Sequence, residues 1–318
     1  MIPSRTMKVH ILCIAGPTAS GKSSRAVKEA LNRHGEVISV DSRQVYRGLD
    51  IGTEKITAAE MRGVPHHLID IRDAHEMYSA GDFVTDAARL IADISAREKL
   101  PILVGGTHFY FDALLHGLPT GADANPVLRK KLERLSTIRL FARIRERDPR
   151  RAAELDPQNR RRLIRALEIV ETLGSVPERM SLSLSTVRNK DIQNSYKVEW
   201  IVIDPPREEL RARIDVRLKN ALERGLIDEV RRVRENLANL ISHGRMKQGY
   251  EVADARLNEL GLEYKIVGEF LREERTEDSL LPALSAKLWQ YARRQKAWLR
   301  KLKDENTISA EPSRPGRN

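Results

Sequence analysis

Cysteine is nearly absent from this chain of 318 residues, in which Cys13 is the only one. A single cysteine excludes an internal disulfide and a zinc site built on several thiolates. Long apolar runs are absent as well, and none approaches the roughly 20 residues that a membrane-spanning helix requires. We therefore expect a protein of the reducing cytoplasm with no segment in a membrane.

Aromatic residues are scarce, at 5% of the chain, whereas charged residues make up 32%. The core is therefore expected to consist mainly of Leu, Ile, Val and Ala side chains. Positive charge predominates, with a formal net charge of +11 and an isoelectric point of about 9.8. This balance favours a polyanionic partner, but an ordinary basic enzyme would explain it equally well.

One segment has the pattern G-x-x-x-x-G-K-[ST] between an apolar run at 9–15 and a helix-forming stretch at 24–31. In such a loop, backbone N–H groups and the N-terminus of the following helix converge on phosphate oxygens. The lysine reaches the terminal phosphate, and the last hydroxyl holds Mg²⁺. The pattern predicts a site for a di- or triphosphate, with Mg²⁺ on Ser23, made by Gly16, Pro17, Thr18, Ala19, Ser20, Gly21, Lys22 and Ser23.

Strand and helix patterns alternate over residues 9–118 and resume at 197–204, as in a parallel α/β sheet. Between them the sequence indicates only helix and loop. We expect an α/β fold, a P-loop NTPase-like parallel sheet with a helical insertion domain, and further helices at 207–234 and 279–303. The expected division is 1–120 for the first part of the catalytic core, 121–196 for the basic insertion, 197–303 for the second part of the core, and 304–318 for a disordered tail.

Two further candidates directly follow the strands predicted at 36–40 and 100–104. Ligands of open parallel sheets bind beyond the carboxyl ends of the strands. Asp41 is the natural general base there, and Thr107, after two glycines, offers a hydroxyl and an N–H group to a phosphate. Each has a plainer alternative, since Asp often caps a turn and Thr often caps a helix.

The predicted insertion has the strongest concentration of positive charge. Between Arg129 and Arg165, fourteen Lys or Arg residues stand against five Asp or Glu. A solvated helix face is the usual explanation of such a run. Here the arginines adjoin an apolar stripe of Leu163, Leu167 and Val170, which leaves them on one defined face suited to phosphates.

Basic and aromatic residues also occur together in the helix predicted at 279–303. Tyr291 and Trp298 fall in one stripe with leucines, so they are interpreted as core rather than as platforms for stacked bases. Gln295 is the polar member of this stripe and must find a hydrogen-bond partner.

Nine segments together resemble one enzyme family. They lie, in this order, at 16–23, 40–46, 50–55, 65–70, 78–83, 103–107, 162–168, 213–230 and 292–298. On these motifs the chain resembles the bacterial tRNA dimethylallyltransferases over nearly all residues from 11 to 300. The resemblance implies transfer of a dimethylallyl group from dimethylallyl diphosphate to N6 of the adenosine 3′ of the anticodon, position 37, with tRNA as the partner. A monomer is expected.

The resemblance also implies roles for the residues of the site. The loop holds the diphosphate of the isoprenoid, and Lys22, Thr107, Mg²⁺ and an arginine stabilise the charge that develops as it leaves. That arginine is expected to be Arg217, with Arg213 one helical turn earlier as the alternative. Asp41 matches the base that accepts the proton of the adenine amine.

Family positions that contact tRNA match several segments of this chain. Three positions depart from the family pattern, since Glu263 replaces a Gly, Ala297 a Thr and Ala221 a Met. The implied tRNA-binding residues are Asp41, Ser42, Arg43, Gln44, Arg129, Arg162, Leu163, Ile164, Arg165, Ala166, Tyr264, Lys265, Arg293, Arg294, Gln295 and Trp298.

Other functions remain open on the residues alone. One is a P-loop kinase of a small molecule, and another is an adenylate isopentenyltransferase that prenylates a free adenine nucleotide. Neither needs a basic helical insertion, so affinity for an anticodon stem-loop distinguishes them. A third is an RNA-binding protein without activity, against which the presence of Lys22, Asp41 and Thr107 argues.

The charge of the insertion predicts a steep dependence of tRNA binding on ionic strength. With roughly six to ten phosphate contacts, raising the salt from ~50 to ~200 mM lowers the affinity roughly 10³–10⁵-fold, because released counterions drive the association. Fluorescence anisotropy of a labelled anticodon stem-loop at several salt concentrations measures the slope. A flat response would remove the role given to the insertion.

Overall fold

The computed structural model describes residues 8–118, 125–176, 196–242 and 246–306. Within these ranges five strands form one sheet: β1 (Val9–Ala15), β2 (Gly35–Val40), β3 (His66–His67), β4 (Leu100–Gly105) and β5 (Tyr196–Val202). Their order is β3-β2-β4-β1-β5, and all neighbouring pairs are parallel. The predicted α/β class with a parallel sheet is confirmed. The two-residue strand β3 is an addition to the predicted strands.

Helices connect the strands and follow the last of them. Their bounds are α1 (Lys22–Arg33), α2 (Ala58–Met61), α3 (Ala80–Ala96), α4 (His108–His116), α5 (Pro126–Leu132), α6 (Thr137–Arg147), α7 (Pro149–Glu154), α8 (Arg160–Leu173), α9 (Arg207–Glu223), α10 (Leu226–Ser242), α11 (Met246–Leu260), α12 (Leu262–Leu271) and α13 (Glu277–Asn306). In the part of the chain that is described, no helix has the length and apolar character needed to cross a membrane.

Two of the predicted helices differ in extent from those observed. The single helix predicted at 207–234 is two helices, because Gly225 takes a left-handed conformation (φ +91°) between α9 and α10. Residues 304–306 belong to α13 rather than to the predicted tail, and residues 307–318 lie outside those described.

Helices cover both faces of the sheet, which explains why β1 is apolar in succession rather than in alternation. Leu12 and Ile14 pack in one cluster with Val27 of α1. Ile11 and Cys13 belong to the larger cluster on the opposite face, which includes side chains of α3, α4 and α9 to α13. Side chains on both faces of the central strands are thus buried against helices. The polar side chains of a site must therefore come from the loops at the strand ends.

The chain divides into two compact units, one of Met1–His116 with Lys190–Asn318, the other of Gly117–Asn189. The first contains the sheet. The second contains α5 to α8, which pack on a core of their own that includes Leu140, Ile144 and Leu167. The insertion predicted at 121–196 overlaps this second unit, and its predicted end falls on the first residue of β5.

Candidate active site

The carboxyl ends of three neighbouring strands bring the predicted site residues together. β1 leads into the loop at 16–23, β2 into Asp41, and β4, through a glycine, into Thr107. The Thr107 N–H donates to Val40 O at 3.2 Å, and the Ser42 N–H donates to Thr107 Oγ1 at 3.2 Å. Asp41 and Thr107 are therefore held on adjacent strand ends, where open parallel sheets bind their ligands.

The loop has a conformation suited to an anion. Ala19 (φ +61°) and Gly21 (φ +84°) are both left-handed, and alternation of this kind turns successive N–H groups toward a common point. A Cβ on Gly16 would lie 2.5 Å from Ser20 Oγ and 2.9 Å from Ile203 O, so only glycine fits. The Ser20 hydroxyl is buried and has no hydrogen-bond partner among the described residues, which leaves a donor for a ligand.

Lys22, the first residue of α1, lies beneath the loop, and its Nζ donates to Pro17 O at 3.3 Å. Loss of hydration lowers the pKa of Lys22 to about 8; the negative charge of Asp41 opposes this shift and the positive charge of Arg217 adds to it. Lys22 therefore keeps most of its charge at neutral pH and loses it at moderately alkaline pH.

Both arginines considered for the site reach the loop. Arg217 donates to Thr18 Oγ1, and Arg213 donates to Ser20 O at 3.4 Å. Together with Glu54 they line a cavity of about 440 Å³. The side chain of Arg217 is 10% exposed and that of Arg213 is 37% exposed, so Arg217 is the more firmly held of the two.

Asp41 caps the turn that follows it. Its Oδ1 accepts the backbone N–H groups of Arg43 (2.9 Å) and Gln44 (3.2 Å). Asp41 therefore does cap a turn, which is the simpler role that the sequence also allowed. Because an ionised carboxylate offers about four acceptor sites, the cap fixes the orientation of the side chain and leaves acceptor capacity for a substrate proton.

Tyr291 of α13 is a site residue that the apolar stripe did not reveal. It shares a hydrogen bond with Thr107, and burial raises the pKa of Tyr291 to about 12, with the negative charge of Asp41 as the next cause. Tyr291 therefore remains protonated in the physiological range. Spacing alone cannot identify such a residue, because a tyrosine in a core and one turned toward a site fall in the same stripe.

Gln295 finds its hydrogen-bond partners in the site. Its Oε1 accepts the Thr18 N–H at 2.9 Å, and its Nε2 donates to Gly106 O at 2.8 Å. A Cβ on Gly106 would overlap this Nε2. The predicted need for a partner is confirmed, and the partners tie α13 to the phosphate loop. Since Gln295 is buried, its side chain has no surface for RNA.

Glu263 of α12 is a second site residue that the spacing pattern did not identify. Its Oε2 accepts from Arg43 Nη1 at 2.9 Å, and its Oε1 accepts from Arg217 Nη2 at 3.1 Å. The Glu263 side chain is only 2% exposed. A buried carboxylate thus joins an arginine beside Asp41 to an arginine beside the loop.

In the second unit, the tRNA-binding candidates separate into surface arginines and buried apolar residues. Arg162 is exposed, while Arg129 and Arg165 both pair with the buried carboxylate of Glu168, Arg129 through two bonds of 2.9 and 2.7 Å. Three candidates lie in the core of the unit: Leu163, Ile164 and Ala166. Burial of these side chains leaves them no surface for RNA, and they support the helix that presents the arginines.

In the first unit, Arg293 and Arg294 are exposed on α13, and Lys265 is partly exposed. Tyr264 is fully buried, and its hydroxyl donates to Glu229 Oε1 at 2.7 Å. Tyr264 therefore has a structural position rather than a surface for tRNA.

Trp298 lies partly buried against α4. Its Nε1 donates to both carboxylate oxygens of Asp112 at 3.2 Å, and its ring stacks on His108 with centroids 5.6 Å apart. The interpretation of Trp298 as a packing residue agrees with these contacts.

Comparisons with known proteins decide the family. Residues 44–302 match the family model described as IPP transferase. The chain belongs to this family. It is 39% identical to tRNA dimethylallyltransferase 1 of Citrifermentans bemidjiense, over 93% of this chain and 91% of that protein. It is also 39% identical to the tRNA dimethylallyltransferase of a Roseiflexus species, over 96% and 94% of the two chains.

Solved structures of this IPP transferase family have the same fold. One is the full-length tRNA isopentenylpyrophosphate transferase from Bacillus halodurans, with a TM-score of 0.62, 37% identity, and coverage of 92% of this chain and 87% of that one. Another is a eukaryotic dimethylallyltransferase acting on tRNA, with a TM-score of 0.73, 26% identity, and coverage of 92% and 70%. The resemblance predicted from the motifs is confirmed.

The lowered pKa of Lys22 predicts a pH dependence of anion binding. From pH 7 to pH 9, pyrophosphate affinity of the wild type should fall about tenfold relative to that of Lys22→Arg, because the lysine deprotonates near pH 8 and the arginine stays charged. Isothermal titration calorimetry measures both affinities, and their ratio cancels the titration of pyrophosphate itself. A ratio that stays constant with pH would contradict the lowered pKa.

Proposed function

We propose that this chain transfers a dimethylallyl group from dimethylallyl diphosphate to N6 of adenosine 37, 3′ of the anticodon in tRNA, and releases diphosphate. One observation carries the proposal: in a member of the IPP transferase family, the phosphate loop, Asp41 and Thr107 meet on adjacent strand ends. An anion site and a carboxylate base at one edge suit a reaction between a diphosphate ester and a weakly basic amine.

The loop supplies the electrostatics for departure of the diphosphate. As the allylic C–O bond breaks, both electrons stay with the leaving oxygen, so negative charge grows on the diphosphate. The loop N–H groups, Lys22 and Arg217 are fixed before the substrate arrives, which makes them effective stabilisers of that charge. The unpartnered Ser20 hydroxyl and the Thr107 hydroxyl would add hydrogen-bond donors, whereas the Thr107 N–H already donates to Val40 O.

The residues of the loop also fit a bound Mg²⁺. The described residues contain no group of three or more His, Cys, Asp or Glu that would enclose a metal, and Mg²⁺ in phosphate sites takes most of its ligands from phosphate oxygens and water. The Ser23 hydroxyl, partly exposed in the first turn of α1, would supply the protein ligand. When bound, the ion would neutralise charge on the leaving diphosphate.

Asp41 acts on the acceptor of the prenyl group, the N6 amine of the adenine. The adenine amine is a poor nucleophile because its lone pair is delocalised into the purine ring. As the N6–carbon bond forms, the amine acquires positive charge, and Asp41 holds and then accepts one of its protons. The cap to Arg43 and Gln44 keeps the carboxylate oriented for this step.

Surface arginines provide the contacts to the RNA backbone. Among the predicted residues, the arginines with exposed or partly exposed side chains include Arg129, Arg162 and Arg165 of the second unit and Arg293 and Arg294 of the first. Their phosphate contacts would offset the few kcal/mol needed to extrude adenine 37 from the anticodon stack. A monomer in the cytoplasm remains the expectation from the sequence.

The direct test is a transfer assay with purified protein, Mg²⁺, an anticodon stem-loop and labelled dimethylallyl diphosphate. Prenylated adenosine should appear in the RNA, with one diphosphate released per transfer. Prenylation of AMP in place of the stem-loop would support an adenylate isopentenyltransferase, and loss of the γ-phosphate of ATP to an acceptor would support a kinase. The relatives named as tRNA dimethylallyltransferases make both less favoured.

The role of Asp41 predicts a selective defect in Asp41→Asn. The asparagine keeps an oxygen for the cap but cannot accept the proton, so turnover should fall about 10²–10⁴-fold, while affinity for the stem-loop stays within a few-fold. Single-turnover kinetics and anisotropy measure the two quantities. Normal turnover with weakened RNA binding would refute the assignment of Asp41 as the base.

A further inference from the structure

Glu263 is the carboxylate of α12 that contacts both Arg43 and Arg217. Burying an ionised carboxylate is costly unless it is paired and hydrogen-bonded. Each of its two oxygens accepts from a different guanidinium, and the arginine side chains are themselves only 13% and 10% exposed. Removing the charge of Glu263 would therefore leave two buried cations with one fewer partner, and their positions would change.

The two arginines that pair with Glu263 contact different parts of the site. The Arg43 backbone N–H donates to Asp41 Oδ1, and the negative charge of Asp41 also acts on the Arg43 guanidinium, so both parts of Arg43 are linked to the proposed base. Arg217 donates to Thr18 Oγ1 in the phosphate loop and to Gly52 O at 3.2 Å. Glu263 therefore lies between Arg43, next to the carboxylate proposed to act on the adenine amine, and Arg217, next to the loop proposed to bind the diphosphate.

Arg217 has a second carboxylate partner, Glu54, whose surroundings differ. The Glu54 side chain is 50% exposed and lines the cavity beside Arg213. Because the Glu54 carboxylate is half-exposed, water screens this ion pair more than it screens the pair with Glu263. The buried Glu263 therefore constrains the position of Arg217 more strongly than Glu54 does.

We propose that Glu263 is a positioning residue that holds Arg217 against the phosphate loop and Arg43 beside Asp41, so that the donor and acceptor halves of the site are fixed together. This inference rests on the proposed function for the roles of Arg217 and Asp41. It also assigns a role to Glu263 at a position where the family pattern has glycine.

The test is Glu263→Gln, which keeps the shape and removes the charge. The amide can accept from one arginine but directs N–H groups at the other. Pyrophosphate affinity should fall about tenfold, which is about 1.4 kcal/mol, because Arg217 loses a buried charged partner that holds it against the loop. In the transfer assay, KM for dimethylallyl diphosphate should rise by a similar factor, more than kcat falls.

Asp254→Asn provides a matched control. Asp254 also joins two arginines, Arg234 (2.6 and 2.9 Å) and Arg272 (3.5 Å), and its side chain is 16% exposed, but its partners belong to α10 and the end of α12 rather than to the loop. Its substitution should leave pyrophosphate affinity unchanged. An equal loss in both variants would show a general effect of removing a buried charge and would overturn the proposal.

Arg43→Gln tests the same connection from Arg43 through Glu263 to Arg217, beginning at Arg43. It also replaces Glu263→Gln as the test if circular dichroism shows that Glu263→Gln does not fold. No hydrogen bond or ion pair joins Arg43 to the described loop residues 16–23, yet its loss should weaken pyrophosphate binding several-fold, and its effect should not add to that of Glu263→Gln. A pyrophosphate affinity within twofold of wild type in folded Glu263→Gln or Arg43→Gln overturns the inference. A wild type that neither binds pyrophosphate nor transfers the prenyl group defeats the proposed function instead.

Discussion

The parallel pairing of β2, β4 and β1 is the constraint on which the site depends. In the sheet register, Gly105 stands beside both Val40 and Ala15, the last residues of β2 and β1. A Cβ on Gly105 would overlap Val40 O, so the strand ends approach as closely as backbones allow. That closeness places Asp41, Thr107 and the phosphate loop within one ligand's reach. The helices on both faces leave this edge as the place where polar groups can gather.

Helices α12 and α13 complete the site from far along the chain. Gln295 occupies the Thr18 N–H and so fixes the loop, Tyr291 bonds to Thr107, and Glu263 pairs with Arg217. None of these contacts needs a substrate. Groups that are already oriented cost no reorganisation when charge develops on a leaving diphosphate, which is the main electrostatic advantage of an enzyme over water.

These long-range contacts also explain how much the sequence could predict. The phosphate loop is local, so its spacing identified it, and the rule that ligands bind at strand ends identified Asp41 and Thr107. Tyr291 and Glu263 acquire their roles only through packing between distant segments, which no periodicity encodes. The family motif around Arg162 includes both surface and core residues for a related reason: a helix with arginines on its surface also needs Leu163 and Ala166 to pack it against the rest of its unit.

The balance of charges in the site bears on the proposed Mg²⁺ ion. Lys22, Arg217 and Arg43 are accompanied by Asp41, Glu54 and Glu263, and Arg213 is paired with Glu209. Cations and carboxylates in this set are equal in number before any ligand binds. A diphosphate therefore brings negative charge that the described side chains do not compensate, and the low dielectric of a half-buried site makes that excess costly. A divalent cation arriving with the diphosphate would offset most of that charge, which is a physical reason to expect Mg²⁺ on a loop that offers only a hydroxyl to hold it.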